Sequence, residues 1–282
     1  MKNNEKNILV LGANGKTGSR IVSRLENLNI QVRRGSRNAM PAFDWEKRET
    51  WPIALKGITD VYISFQPDLA VPGADAAIRL FITEAETAGV SKVVLLSGRG
   101  EPEAKRCEEV VIQSGIPYTI VRASWFNQNF NEGYLAEFIG GGMLALPTGG
   151  IREPFIDADD IADVVVAAFT ETGHQNRIYE VTGPNLLTFA EAVQEIAAAT
   201  GKQITYIDIP LQDYLAELKG YQLPEEVIEL MAYLFGNVLD GRNASVTNGV
   251  QEALGRAPKD FREFARTAAE NRAWDNQQVG LG

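Results

Sequence analysis

Gly12, Gly15 and Gly18 stand at three-residue intervals, with Asn14, Lys16 and Thr17 between them. Such residues hold a ligand rather than break its bonds: they leave backbone N–H groups open and add one cation. Between a strand and a helix, Gly12 lets the chain leave the strand sharply, and Gly15 offers no Cβ to bar a pyrophosphate. Gly18 lets the helix pack close to the strand, the helix N-terminus supplies N–H groups for the phosphates, and Lys16 adds a charged partner. The spacing is G-x-x-G-x-x-G rather than G-x-G-x-x-G, and three glycines alone serve a tight chain reversal equally well. The flanks decide. The run from Asn7 to Leu11 is apolar from Ile8 onward, and Ile21, Val22, Leu25 and Leu28 recur at helical spacing after the turn. Strand, glycine turn and helix in that order predict a dinucleotide site.

A second strand starts at Ile30-Gln31-Val32 and runs into Arg33-Arg34-Gly35-Ser36-Arg37. The end of this strand meets the adenosine ribose in dinucleotide folds, where an acid suits the 2′-hydroxyl of NAD and an arginine the 2′-phosphate of NADP. No acid occurs between Ile30 and Arg37 and three arginines do, so Ser36 and Arg37 are candidate NADP(H) contacts; a solvated basic strand end is the plainer alternative. Phe43-Asp44-Trp45 reads as a short third strand, with Asp44 and Trp45 near the adenine edge or else in surface packing. A brief helix follows at Glu46 to Leu55. Strands are then expected at Asp60 to Phe65, Lys92 to Leu96 and Tyr118 to Val121, with helices at Ala74 to Ala88 and Pro102 to Gln113. This alternation predicts an α/β fold with a Rossmann-type doubly wound parallel sheet. Ligand then lies beyond the carboxyl ends of the strands, where the glycine turn gathers with Phe65-Gln66, Ser97-Gly98 and Ser124.

The 282 residues, 45% hydrophobic and 23% charged, suffice for one large domain or two ordinary ones. Asp plus Glu number 37 against 27 Lys plus Arg, a formal charge of −10 without a basic tract, which argues against nucleic acid or an anionic membrane as partner. Cys107 and His174 are each the only residue of their type. An intrachain disulfide and multi-cysteine or multi-histidine metal sites are thereby excluded, and no metal is expected. With no signal-peptide pattern and no apolar run of membrane-spanning length, a cytoplasmic location is expected.

After Arg122 the pattern changes. Ser124-Trp125-Phe126-Asn127-Gln128-Asn129-Phe130 is rich in aromatics and amides, and Gly140-Gly141-Gly142 breaks the chain. A helix from about Asp159 to Phe169 and a strand at Ile178 to Thr182 follow. Helices then dominate, at Phe189 to Thr200, Leu211 to Leu218, Glu225 to Leu234 and Phe261 to Arg272, with only Gln203 to Ile209 extended. The last hundred or so residues read as a smaller, mostly helical substrate-side domain, and the tail past Trp274 is expected to fray.

Four stretches together resemble the NmrA-like family of atypical short-chain dehydrogenases/reductases. They are the glycine loop, Leu95-Leu96-Ser97-Gly98, Ser114 to Arg122 with Trp125-Phe126-Asn127-Gln128-Asn129 after it, and Pro154-Phe155-Ile156-Asp157-Ala158-Asp159-Asp160-Ile161-Ala162. The resemblance runs from Asn7 to about Arg272. Phe43-Asp44-Trp45 and Tyr179-Glu180-Val181-Thr182-Gly183 look closest to the branch of ergot-alkaloid iminium reductases and their bacterial relatives. The resemblance implies a Rossmann domain for NADP(H), residues 1–122 with 151–183, and a substrate-binding lid, residues 123–150 with 184–282. Ordinary short-chain dehydrogenases use a Ser and a Tyr-x-x-x-Lys. Here Ser97 takes the serine-like place, but Glu101-Pro102-Glu103-Ala104-Lys105 stands where the Tyr-x-x-x-Lys would be, and a glutamate is not expected to replace a phenol that donates a proton near neutral pH. Ser97 and Lys105, near the lysine acid of some relatives, are the candidate catalytic residues. The plainer readings are a Ser97 that orients ribose or amide and a Lys105 on a solvated helix face. Cys107, on a helix among charged residues, is expected to be inert.

An acceptor that is already electrophilic needs proximity and orientation more than a dedicated acid. Trp125, Phe126 and Phe130 would form an aromatic wall for a flat or cationic acceptor, with Asn129 as a hydrogen-bonding neighbour; a buried hinge and a helix cap are the alternatives. The expected function is an NADPH-dependent oxidoreductase transferring hydride to a small quinone, iminium or conjugated carbonyl, as a monomer or homodimer. The alternative is a non-catalytic NAD(P)-binding redox sensor or regulatory scaffold, which the family also includes.

Overall fold

Ile8, Leu9, Val10 and Leu11 are all fully buried, as a strand covered on both faces requires. They form β1 (Asn7–Leu11), the strand from which the sheet builds outward. In the computed structural model, which describes residues 6–221 and 223–275, the chain continues as α1 (Lys16–Asn27), β2 (Gln31–Gly35), α2 (Trp51–Leu55), β3 (Asp60–Ile63), α3 (Ala74–Thr87), β4 (Lys92–Gly98), α4 (Pro102–Gln113) and β5 (Tyr118–Ala123). Then come α5 (Tyr134–Gly140), β6 (Met143–Leu146), β7 (Arg152–Glu153), α6 (Ala158–Thr170), β8 (Arg177–Val181), β9 (Leu187–Thr188), α7 (Phe189–Thr200) and β10 (Thr205–Asp208). The last elements are α8 (Leu211–Gly220), α9 (Glu225–Tyr233), α10 (Gly249–Leu254) and α11 (Phe261–Glu270).

These elements fall into two units. Met1–Ala123, Ala158–Val181 and Asn248–Arg256 make the first; Ser124–Asp157, Thr182–Thr247 and Ala257–Gly282 make the second. The boundaries differ from those expected: residues 151–157 and 182–183 belong to the second unit, and Ala123 and residues 248–256 to the first. The segment 248–256 carries α10, which the sequence did not reveal. It returns to the first unit because Gly249 lies against β8 so closely that a Cβ there would sit 2.2 Å from the Glu180 carbonyl oxygen.

The first unit holds a six-stranded sheet in the order β2-β1-β3-β4-β5-β8, parallel throughout. Leu9, Leu11, Val61, Ile63, Val93 and Leu95 bury one face against α2, α3 and α4. On the other face Tyr62 donates to the Thr17 hydroxyl on α1 at 2.9 Å. Arg24 of α1 pairs with Asp159 and Asp163 of α6 at 2.8 and 2.7 Å. The strand order reverses at β1 and β3, the switch point where ligands bind in such sheets. Phe43-Asp44-Trp45 is not the strand expected. Its hydrogen-bonding groups go to local partners: Phe43 N–H donates to the Ser36 carbonyl at 2.9 Å, and the Asp44 carbonyl accepts from Trp51 Nε1 at 2.8 Å. The helix expected from Glu46 begins instead as a 3-10 turn at Arg48–Thr50.

The second unit is mostly helical, with a parallel pair β6–β10 and an antiparallel pair β7–β9. Phe130, Phe155, Phe189, Phe261 and Trp274 fill its core. α7 starts where Thr188 and Glu191 form a capping box and stops at Gly201 in the left-handed region, so both ends are locally encoded. The expected fraying of the tail falls on residues 276–282, outside the described residues. Among the described residues no helix is long and apolar enough to cross a membrane, and no cluster of three or more His, Cys, Asp or Glu could hold a metal ion.

Candidate functional site

Gly12 turns out of β1 at φ +66°, where an L side chain is strained. Gly18 brings α1 against the turn: a Cβ there would lie 2.1 Å from the Gly12 carbonyl oxygen. Gly15 precedes α1 in extended backbone and is exposed; a Cβ on it would meet only the Gly12 oxygen, at 3.3 Å. Among the described residues no side chain caps α1; a helix cannot satisfy its first-turn N–H groups internally, and a side chain at position 15 would stand beside them. That geometry fits a pyrophosphate. Asn14 is exposed and Lys16 half-buried beside it. Thr17 differs from expectation, because its hydroxyl is buried and turned to Tyr62.

The three arginines of β2 and its end are not equivalent. Arg33 donates to the carbonyls of Ala54 and Lys56 at 2.8 and 2.7 Å, and Arg34 pairs with Glu26 at 2.9 Å. Arg37 is exposed, next to half-buried Ser36, and has no ion pair or hydrogen bond among the described residues. Trp45 lies among Phe43, Trp51, Phe65 and Phe81, its ring 4.8 Å from Phe65. Trp45 and Phe65 thus form one half-buried aromatic edge, with exposed Gln66 beyond it. Asp44 serves this edge locally, its carboxylate accepting from Glu46 N–H at 3.1 Å.

The structure does not bring Ser97 and Lys105 together. β4 runs two residues past Leu96, so Ser97 lies inside the ladder, opposite Arg122. It continues the stripe of Val93 and Leu95 toward α4, where Ser97 Oγ donates to Glu108 at 2.6 Å and is 3% exposed. Glu108 also accepts from Arg122 Nε at 2.9 Å, Arg122 reaches Glu180 at 3.4 Å, and Arg99 donates to Glu180 at 2.6 Å. Ser97 is therefore a member of a buried ionic network joining α4, β5 and β8. Lys105 is exposed on α4. Cys107 is fully buried, and burial, then Asp75, pushes its thiol up to about 12, which leaves it unreactive.

What does stand at the carboxyl end of β4 is Glu101. It is 7% exposed, and burial first, then the neighbouring Asp68 and Glu103, push its carboxyl up to about 8. Burial and the like charges around it favour the acid form of this carboxyl, the form that can donate a proton. Asp68 is raised as well, by burial. Neither residue carried a sequence signal beyond Glu101's place in the missing Tyr-x-x-x-Lys.

In the second unit, Phe130 is not part of an exposed wall. It is 1% exposed and rings Phe155, Phe189 and Phe261 surround it at 5.3 to 5.8 Å. Trp125 and Phe126 are half-buried, Trp125 packing on Phe189 and Phe235. Asn129 is half-buried and does not cap α5, whose preceding residue is Gly133. Its neighbour Asn127 is fully buried, and among the described residues neither of its amide atoms finds a hydrogen-bond partner.

Comparison with known sequences decides the family. The sequence model of the NmrA-like family matches residues 104–265, and that of an NAD(P)H-binding family matches residues 12–172. The chain belongs to the NmrA-like family. Among NmrA-like relatives, an NAD(P)H azoreductase from Xenophilus azovorans is 30% identical over 93% of this chain and 98% of its own. Festuclavine synthase II from Penicillium roqueforti is 29% identical over 92% and 96%. Among solved structures, an NADPH-dependent quinone oxidoreductase from Escherichia coli, complexed with NADPH, shares the fold with a TM-score of 0.77 at 22% identity, over 92% of this chain and 99% of that one. Several of its relatives carry the names of reductases or dehydrogenases.

Proposed function

We propose that the chain is an NADPH-dependent reductase of a small, conjugated electrophile, the first unit binding the dinucleotide and the second selecting the acceptor. The observation that carries this reading is the first turn of α1, without a side-chain cap and set behind Gly15 at the switch point of the sheet, in a chain with a relative named NAD(P)H azoreductase. A bound reduced nicotinamide supplies a hydride. The first-turn N–H groups of α1 and Lys16 hold the pyrophosphate, and Arg37 takes the 2′-phosphate because Arg33 and Arg34 are already committed to protein groups. Trp45 and Phe65 flank the adenine side. Trp125 and Phe126 are the acceptor-binding aromatics; an azo compound, the class in one relative's name, a quinone and an iminium are all flat enough to suit them.

Steady-state NADPH oxidation against azo dyes, quinones, iminium ions and enals tests the reading. At least one class should accelerate oxidation; NADPH binding without acceleration by any of them would leave the binding-only alternative. Arg37→Ala should weaken NADPH roughly ten- to a hundredfold, the scale of a lost charge-assisted hydrogen bond, and leave NADH unchanged. Calorimetric titration with both cofactors checks this, and an equal loss for NADH would remove Arg37 from the 2′-phosphate.

A further inference from the structure

After Gly98 the chain passes through Arg99 and Gly100, and the Glu101 carboxyl folds back over the end of β4. A Cβ on Gly98 would lie 2.1 Å from Glu101 Oε1 and 2.4 Å from Oε2. Glu101 precedes α4 but does not cap it, so its carboxyl is not spent on the helix terminus. Among the described residues no donor reaches the buried Oε2. The group that meets Glu101 is the Asp68 carboxyl, from the segment between β3 and α3, within hydrogen-bonding reach. Asp68 in turn is held by the Ala70 N–H at 2.8 Å. Glu103 and Glu108 of α4, also acidic, act on Glu101 as well, and Arg99 and Arg122 pair with Glu180 and Glu108. Two carboxyls hydrogen-bonded to each other hold a proton between them. A fold gains little stability from such a pair. Its position at the carboxyl end of a central strand is where parallel sheets carry their chemistry.

We propose that Glu101, its buried carboxyl folded over the end of β4 beside Asp68, is the general acid of the reduction and a catalytic residue. This rests on the reductase reading above. The hydride brings two electrons to one atom of the acceptor's double bond; the O–H bond of Glu101 breaks and its proton joins the oxygen or nitrogen at the other end of the conjugated system. Once the reduced acceptor leaves, water returns a proton to the pair through Asp68. An iminium ion is complete once hydride has arrived and takes no proton. The pair therefore selects quinones, conjugated carbonyls or azo compounds as the acceptor class.

Infrared titration of the protein alone reads the shared proton directly. The wild type should show a protonated-carboxyl band at pH 7 that bleaches near pH 8, and Glu101→Gln should lack it. Melting reports the same proton. A carboxyl raised from its ordinary 4.5 to about 8 contributes stability that is fully present below 4.5 and is lost as pH rises through 8, so Glu101→Gln should flatten the fall of the melting temperature over that range. In turnover, Glu101→Gln should lower kcat for quinone about a hundredfold or more, with NADPH affinity kept and any iminium reduction nearly unchanged. Asp68→Asn, which removes the repelling charge but keeps Glu101, should move the alkaline limb of the quinone pH profile to lower pH, a shift that a packing role would not produce. An absent band at pH 7, or a full quinone rate in Glu101→Gln, overturns the assignment while leaving the reductase reading intact. A wild type that reduces no acceptor overturns both, whatever the band shows.

Discussion

Glu108→Ala lowers the folding stability by about 3–5 kcal/mol, the usual cost of breaking a buried ion pair by removing one partner. Glu108 is 4% exposed at its side chain and takes three donors: Ser97 Oγ, Arg122 Nε and Arg122 Nη2. Without it, Arg122, itself only 18% exposed, retains Glu180 at 3.4 Å, and Ser97 loses its acceptor. At this chain length each kcal/mol moves the melting temperature by roughly 2–4 °C, so a drop on the order of 10 °C is expected. Glu108→Gln keeps the shape and one acceptor and should lose about half as much. Urea melts of both variants measure the effect; a loss below about 1 kcal/mol for the alanine variant would mean that the network adds little to folding.

Gly15→Val is expected to weaken NADPH roughly a hundredfold or more, the larger end of what an overfilled site loses, with the melting temperature almost unchanged. The backbone at Gly15, φ −82° and ψ 177°, suits any residue, and a Cβ there approaches only the Gly12 carbonyl, at 3.3 Å. The added methyls therefore fall in the cradle rather than in the fold. Gly18→Ala makes the opposite trade: its Cβ would meet the Gly12 carbonyl oxygen at 2.1 Å, so the protein should lose stability first. Cofactor titration beside thermal melts separates the two variants. Normal NADPH binding by Gly15→Val would mean that the turn serves only the chain reversal.

Local chemistry made much of this protein legible without coordinates. Pro102 at the helix start and Ser114-Gly115 after it bounded α4, and Thr188 with Glu191 and Gly201 bounded α7, because a helix end is settled by a few neighbouring residues. The apolar run before Gly12 and the helical spacing after Gly18 are equally short-range, and they located the dinucleotide turn. Tertiary structure decided the rest, wherever the deciding partner is distant in sequence. Ser97 looked like a residue at a strand end until Arg122 extended the ladder past it and Glu108 claimed its hydroxyl. Phe130 stood in an aromatic run, and only Phe155, Phe189 and Phe261 reveal it as core. Phe43-Asp44-Trp45 has the residue types of a strand, but a strand exists only where a neighbour completes its hydrogen bonds, and here the partners are Ser36, Thr50 and Trp51. Glu101 shows the limit most sharply. Its side chain is an ordinary acid by type, and its upward shift comes from burial and from Asp68, which lies in another part of the chain; desolvation and a like charge are properties of place, and only the folded chain has places.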